Sequence, residues 1–319
     1  MKTYLYKLNI KNRTLENIFS AHTLFGAFCN AYLKLYGNLD FLDSFISLEK
    51  LPFVLSSAFP YYKDILFFPK PITEITEDIP ISNIKEIKKI EFLSESLFRD
   101  FLKGQGNTIN FFNDKGVKEK DAFLLKQEEM DEEFNNEKRQ IIKSDLIIRN
   151  AHPLESHSED KNRFEQSYFY FHPNAGLFFL AHIEDDFKTQ FDTVIRFLSH
   201  EGIGGQKSIG IGQFDLEEIK EIEFDIKNSN RSVLLSPMLP SDAEIQLIQK
   251  NKEAYYDLET KRLKSSIVDN KFLWKPKLTF FKEGSILPFS GKPFLGTNLK
   301  LKGEFNIIQY GLGFVVGAV

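Results

Sequence analysis

Along the first half of the chain the apolar positions change period several times, and each change marks an element. Residues 3–11 alternate, with Tyr4, Tyr6, Leu8 and Ile10 on one face, the period of a half-buried strand. After a polar link, Leu24, Phe25, Phe28, Ala31, Tyr32 and Leu35 recur at helical spacing; Ser20 or Thr23 can cap this helix and Gly37 ends it. Residues 53–60 and 65–71 read as two short strands around a Pro60-Tyr-Tyr-Lys-Asp64 turn. A short apolar strand at 90–93 and a helix at 96–103, stopped by Gly104, come next. Residues 145–152 and 163–171 form strands across a polar tip, a protruding hairpin with Arg149, His152, His157 and Arg163 near its end. A strand at 176–183 leads into a helix at 186–199, where Phe187, Phe191, Val194, Ile195 and Leu198 share one face and Asp185 or Asp186 serves as N-cap.

The opening β-α-β followed by ββα and a closing strand is the ferredoxin-like or RRM pattern with insertions. One insertion, about 105–144, is polar and charged, with the acidic run Lys126-Gln-Glu-Glu-Met-Asp-Glu-Glu-Phe134, and is expected to be solvated. The remainder repeats the pattern loosely: strand-like 222–226 and 233–236, a helix at 242–251, and strand-like 255–263, 277–281, 299–302 and 306–319. No short period supports a solenoid. The expected fold is therefore α+β, with two ferredoxin-like domains at 1–221 and 222–319, a thumb hairpin at about 145–171 and a glycine-rich loop at 202–212.

Composition narrows the function classes. A length of 319 residues suffices for a sizeable core, and 33 phenylalanines make that core aromatic. A single cysteine, Cys29, excludes a disulfide framework and a cysteine-based zinc site, and fits a reducing cytoplasm. Lys7 and Asn9 interrupt the N-terminal apolar pattern, so a signal peptide is not expected, and no apolar run has the length of a membrane span. The formal net charge of −4 confines any contact with phosphates to a local basic groove.

The most informative stretch is Gly202-Ile-Gly-Gly-Gln-Lys-Ser-Ile-Gly-Ile-Gly212, with five glycines in eleven residues. It joins a helix to a strand, whereas both nucleotide-binding glycine motifs join a strand to a helix, and Gln206 breaks the Gly-Lys-Ser of a Walker loop. Two readings remain open. One is a flexible connection with a glycine C-cap at Gly202. The other is a clamp on an RNA backbone, using amides of Gly204 and Gly205, with Lys207 on phosphates and Gln206 or Ser208 on sugar or base edges.

Other candidates carry paired readings as well. His22, at the start of the first helix, is a capping or packing residue or an RNA contact. Ser56, Ser57, Phe59 and Lys70 lie where serines, aromatics and lysines interleave; this suits a surface that stacks bases, and equally a hairpin with its aromatics in a core. Glu184-Asp185-Asp186 is read as helix capping rather than a Mg²⁺ carboxylate pair. The six histidines form no H-x-x-x-H, so no metal site or cofactor is expected. Metal-independent RNA cleavage with His22 as acid or base lacks an evident complementary group.

Taken in order, Ser20-Ala-His-Thr-Leu-Phe-Gly-Ala-Phe-Cys29, Leu51-Pro-Phe-Val-Leu-Ser-Ser-Ala-Phe-Pro-Tyr61, Leu66-Phe-Phe-Pro-Lys-Pro71, the glycine-rich stretch and Ile308-Gln-Tyr-Gly-Leu-Gly-Phe-Val315 resemble the Csm4-type RAMP subunits of type III-A CRISPR effector complexes. The resemblance runs end to end and is weakest at 105–144. It implies a non-catalytic subunit that grips the 5′ handle of the guide RNA, contacts the large polymerase-like subunit and meets a backbone RAMP subunit through its thumb. The positions it carries over are His22, Ser56, Ser57, Phe59, Lys70 and 204–208. The hairpin departs from the family's pattern at His152-Pro-Leu-Glu-Ser-His-Ser-Glu-Asp160, and Leu312 replaces a frequent lysine. A repeat-processing endoribonuclease of the same superfamily is the alternative.

Overall fold

A computed structural model describes residues 1–15, 18–74, 81–134, 140–150, 163–224, 229–251, 253–265, 274–288, 291–301 and 307–319. In the first part of the chain the elements are β1 (Lys2–Ile10), β2 (Thr14–Leu15), α1 (Ala21–Tyr36), α2 (Leu42–Ser47), β3 (Phe53–Leu55), β4 (Phe59–Tyr62), β5 (Ile65–Pro69), α3 (Ile81–Lys89), β6 (Phe92–Ser94), α4 (Glu95–Leu102), α5 (Thr108–Asn113), β7 (Val117–Lys120), β8 (Phe123–Lys126), β9 (Ile142–Asn150), β10 (Arg163–Phe171), β11 (Ala175–Ile183), α6 (Lys188–Glu201) and β12 (Phe214–Glu221). The second part comprises β13 (Arg231–Leu234), α7 (Asp242–Lys250), β14 (Leu258–Lys264), β15 (Trp274–Phe281), β16 (Ile286–Pro288), β17 (Phe294–Gly296), β18 (Leu299–Lys300), β19 (Ile308–Gln309) and β20 (Leu312–Ala318).

The alternating β1 lies next to the edge strand of a sheet, antiparallel to β11 on one side and β12 on the other. The strand order β12-β1-β11-β4 runs fourth, first, third, second in chain order, with α1 and α6 as the two crossovers. Both helices end where glycine allows a positive φ: Gly37 at 76° and Gly202 at 82°. Their apolar faces meet over β1, where Phe191 lies between Tyr6 and Phe28 with ring centroids 5.3 and 4.9 Å away. The sheet then continues through β5, β6, β8 and β7.

The second part builds a four-stranded sheet, β16-β13-β20-β17, and a separate ribbon, β14-β15. One hydrophobic core runs through both parts: Phe25 of α1 stacks on Tyr310 at 4.6 Å, and Tyr310 Oη accepts a hydrogen bond from Leu55 N at 2.9 Å. The closing glycines permit this approach. A Cβ on Gly311 would fall 2.3 Å from Thr297 O.

Several expectations change. The run 53–60 is not one strand: Ser56, Ser57 and Ala58 interrupt it, and Pro60, Tyr61 and Tyr62 belong to β4, leaving the turn to Lys63 and Asp64. The stretch 105–144 is not merely solvated, because β8 pairs in parallel with β6 and buries Leu124 and Leu125. Helix α6 starts after Phe187 without a side-chain cap, so Asp185 and Asp186 are not its N-cap; Glu184 instead pairs with the N-terminal ammonium at 3.5 Å. The strand expected after the glycine-rich loop is β12; of the further strand expected at 222–226, residues 222–224 are not in a strand and 225–226 lie outside the described residues.

Candidate nucleic-acid interface

The glycine-rich loop is pinched at its neck and open at its crest. Ile203 N donates to Gly212 O at 2.9 Å, and Gly212 N donates to Arg13 O at 3.0 Å. Gly212 has φ 77°, and a Cβ there would sit 2.0 Å from Ile203 O, so the neck admits glycine alone. Beyond the buried Ile203 the chain passes through Gly204 at φ 92° and Gln206 at φ 60°, then makes a 3₁₀ turn at Lys207–Ile209. Gly205 and Ser208 are exposed at the crest, with Lys207 half-buried beside them. Among the described residues, the amides of Gly204, Gly205 and Gln206 donate none of the loop's backbone hydrogen bonds. Unengaged amides on a turn of mixed handedness form a nest for anionic oxygens.

A second element meets this crest. Strands β9 and β10 pair over their whole length, from Ile142↔Phe171 to Asn150↔Arg163, and β2 joins β10 at Tyr168 and Phe169. Leu146, Ile148 and Phe164 on this ribbon are exposed. At its base Tyr168 is buried and donates its hydroxyl to Gln206 Oε1 at 2.9 Å, which ties the left-handed Gln206 in place. Arg13 fills the angle between ribbon and loop: its guanidinium lies 4.4 Å from the Tyr168 ring and donates to Tyr170 Oη at 2.6 Å. Arg149 approaches the same ring at 5.3 Å. Among the described residues, none of Arg13, Arg149 and Lys207 forms an ion pair with a carboxylate, which leaves their charge available to a ligand. The arrangement offers cations and amides in one place, the chemistry that an RNA backbone site uses.

The other expected contacts are elsewhere, mostly inside. Ser56 bridges the strand break: its hydroxyl accepts from Leu180 N at 2.8 Å and donates to Ser57 O. Ser57 accepts from Ala21 N at the start of α1, donates to Glu283 Oε1 at 2.5 Å, and gives its own N–H to Leu235 O. Phe59 is 3% exposed and packed between Phe68 and Phe178, so no face is free for a base. Lys70 is half-buried and spends its ammonium on Ile87 O at 2.9 Å; burial lowers its pKa. Ser57 therefore stitches the two parts of the chain together, while Ser56 and Phe59 are buried within the first part, the second of the readings the sequence left open. His152 lies outside the described residues.

His22 sits against Phe280, with 4.7 Å between ring centroids, and its Nδ1 is 3.4 Å from Gln309 Nε2. Its Nε2 is buried without a partner. Burial, reinforced by Lys261 and Lys275, lowers the imidazole to about 3, so the ring is neutral at physiological pH. The structure thus groups Gly204 to Ser208 with Arg149 and separates them from His22, Ser56, Ser57, Phe59 and Lys70. It also adds Arg13, Tyr168 and Tyr170. The two tyrosines lie at alternate positions of a predicted strand, a usable signal; Arg13 stands in a polar link and acquires its place only through the pairing of β2 with β10. A hollow of about 800 Å³ lined by Leu97, Asp100, Phe111, Asp114 and Lys126 lies away from this interface, and its Asp100 is already paired with Lys126 at 2.8 Å. Among the described residues no group of three metal-ligating side chains is assembled, and no helix is long and apolar enough to cross a membrane.

Comparison with known proteins concerns the family and the fold. Residues 6–215 match the RAMP superfamily. The CRISPR system protein Csm4 of Thermococcus onnurineus is 25% identical, with 93% of this chain and 90% of that protein covered. Its counterpart in Methanocaldococcus jannaschii is also 25% identical, over 85% of this chain and 79% of that protein. Among solved structures, the Csm3-Csm4 subcomplex of a type III-A CRISPR-Cas interference complex contains a chain that superposes with a TM-score of 0.70 at 20% identity, covering 99% of this chain and 98% of that one. A Csm1-Csm4 cassette in complex with cA4 gives a TM-score of 0.64 at 22% identity, covering 100% and 98%.

Proposed function

Since the chain belongs to the RAMP superfamily and is of the Csm4 type, we propose that it is a non-catalytic, RNA-binding subunit of a type III-A CRISPR interference complex in the cytoplasm. It holds the 5′ handle of the guide RNA, and it joins a large polymerase-like subunit to the first backbone RAMP subunit in antiviral defence. The observation that carries this reading is the crest of the glycine-rich loop, where unengaged amides lie beside Lys207 and Tyr168, whose ring gathers the Arg13 guanidinium and that of Arg149, reaching back from near the ribbon's tip. Phosphates would sit on the amides and cations; the ribbon, with Leu146 and Ile148 exposed, is the thumb that meets the backbone subunit and kinks the guide. The strand order fourth-first-third-second supports a ferredoxin-like first half. The relatives named for Csm1-Csm4 and Csm3-Csm4 assemblies support the two protein partners. The alternative, endoribonuclease chemistry on His22, gains nothing from the structure: a general acid or base works best with a pKa near the working pH, and this ring is enclosed with its pKa lowered to about 3.

The test is assembly of the complex with its guide and the double variant Lys207→Ala with Arg149→Ala. Both side chains are partly exposed and form no ion pair among the described residues, so thermal stability should change little, while affinity for the guide falls roughly tenfold and the salt dependence of binding drops by about 1–2 phosphate equivalents. Undiminished guide retention across a salt titration would remove the loop from the RNA interface.

A further inference from the structure

The ribbon of β14 and β15 presents two unlike faces. Inward-pointing residues tie it to the body: Phe280 packs on His22 and Lys275 donates to Ile308 O at 2.9 Å, while Lys261 pairs within the ribbon with Glu259 at 2.7 Å. The outer face follows the cross-strand register Thr260↔Thr279, Arg262↔Lys277 and Lys264↔Trp274. Residues directly opposite in an antiparallel pair share a face, and like charges there are destabilising. Arg262 opposite Lys277 is such a pair, and among the described residues neither has a carboxylate partner. Among the described residues of the two strands the carboxylate is Glu259, on the inner face.

Next to these cations stands Trp274, the single tryptophan of the chain and 49% exposed. Lys264 Nζ lies 4.5 Å from its ring and the Arg262 guanidinium 5.2 Å from it. Five basic residues, Lys261, Arg262, Lys264, Lys275 and Lys277, thus lie on two strands of a chain whose net charge is −4. Isolated two-stranded ribbons are marginally stable, so the opposed cations are a cost that an anion on the outer face would relieve. Pro276 and the register shift after Arg262 blunt the edges against strand addition, which leaves the side-chain face as the working surface.

We propose that the outer face of the β14-β15 ribbon is a second single-stranded RNA site, distinct from the glycine-rich loop, in which Arg262 and Lys277 hold a phosphate and a base stacks on Trp274. An acidic protein surface would also satisfy the charges, but it has no use for an exposed indole flanked by two cations, whereas a nucleotide engages both.

The lone tryptophan makes the test direct. Intrinsic fluorescence of the full chain is followed while a short oligouridylate is added, in wild type, in Arg262→Gln with Lys277→Gln, and in Lys207→Ala with Arg149→Ala. Expected are saturable quenching in wild type, roughly tenfold weaker in the first variant, and unchanged in the second, since charge neutralisation and base stacking are each worth about this factor or more. Failure of the second variant to retain guide would concern the loop alone, so the two sites fail independently. Removing the opposed charges should leave the melting temperature equal or higher, which separates lost binding from lost folding. Should the paired variant not fold, Lys264→Gln carries the same comparison. Absence of quenching by RNA, or quenching by polyglutamate with none by RNA, overturns the proposal; the latter assigns the ribbon to an acidic protein partner.

Discussion

Two buried histidines link single side chains to the pH dependence of the fold. His182 stacks on Phe314 at 4.0 Å, shares a hydrogen bond with Thr3 Oγ1 and has its Nε2 buried without a partner; burial lowers it to about 4. His22 is lowered to about 3 for the same reason. In the unfolded chain both titrate near 6.5, so between that value and the folded one the unfolded state binds more protons. Stability is therefore full above pH 6.5 and lost as the pH falls toward 4, by about 2–3 kcal/mol per histidine at pH 4.5. Urea midpoints of wild type and His182→Gln, compared at pH 7 and 4.5, isolate the effect. The gap between the two proteins should narrow or reverse in acid, and a gap independent of pH would show that His182 titrates normally in the fold.

At the scale of elements, the glycine-rich loop depends on its neck more than on its crest. Gly212→Ala places a Cβ against Ile203 O at a φ that L-residues avoid, and should cost roughly 2–4 kcal/mol, whereas Gly205→Ala at the exposed crest should leave the melting temperature within a degree or two. Equal melting temperatures for the two variants would contradict the pinched neck. The loop, α1, α6 and the β9-β10 pairing were legible because each announces itself locally, through a period of 2.0 or 3.6 residues or a run of glycines. What escaped depends on distant partners. Ser56 and Ser57 look like surface serines until Leu180, Leu235 and Glu283 supply their hydrogen bonds across the fold. The charged stretch after Gln105 hides β8, whose short Phe-Leu-Leu run becomes a strand only when β6 lies beside it. Arg13 is likewise placed by a partner 157 residues away. Opposed Arg262 and Lys277 were invisible for the same reason, since a register pairs them, not a spacing.

At the scale of the molecule, the shared core decides what can be separated. A pattern of two repeated halves suggests that a chain of residues 1–221 folds alone, yet its core is completed from the other part. Without the remainder, Phe25 loses the Tyr310 ring, Leu55 N loses its acceptor, His182 loses Phe314, and Ser57 loses both Leu235 O and Glu283. Each aromatic removed uncovers about 150–250 Å² of neighbouring apolar surface, and each orphaned buried donor costs about 1–3 kcal/mol. Several such losses together exceed the few kcal/mol by which a domain of this size is normally stable. The fragment 1–221 should therefore keep helix signal in far-UV circular dichroism, lose its cooperative melt and bind hydrophobic dyes, while the full chain melts in one transition. A cooperative melt of the fragment within a few degrees of the full chain would show that the core divides. A single cooperative body also suits a subunit of net charge −4 that presents cations at two places. On the proposed reading, little surplus charge is available to attract RNA at a distance, so the loop amides, Lys207 and Arg149 must be held in position beforehand, and the hydrogen bond from Tyr168 to Gln206 supplies that rigidity at the loop.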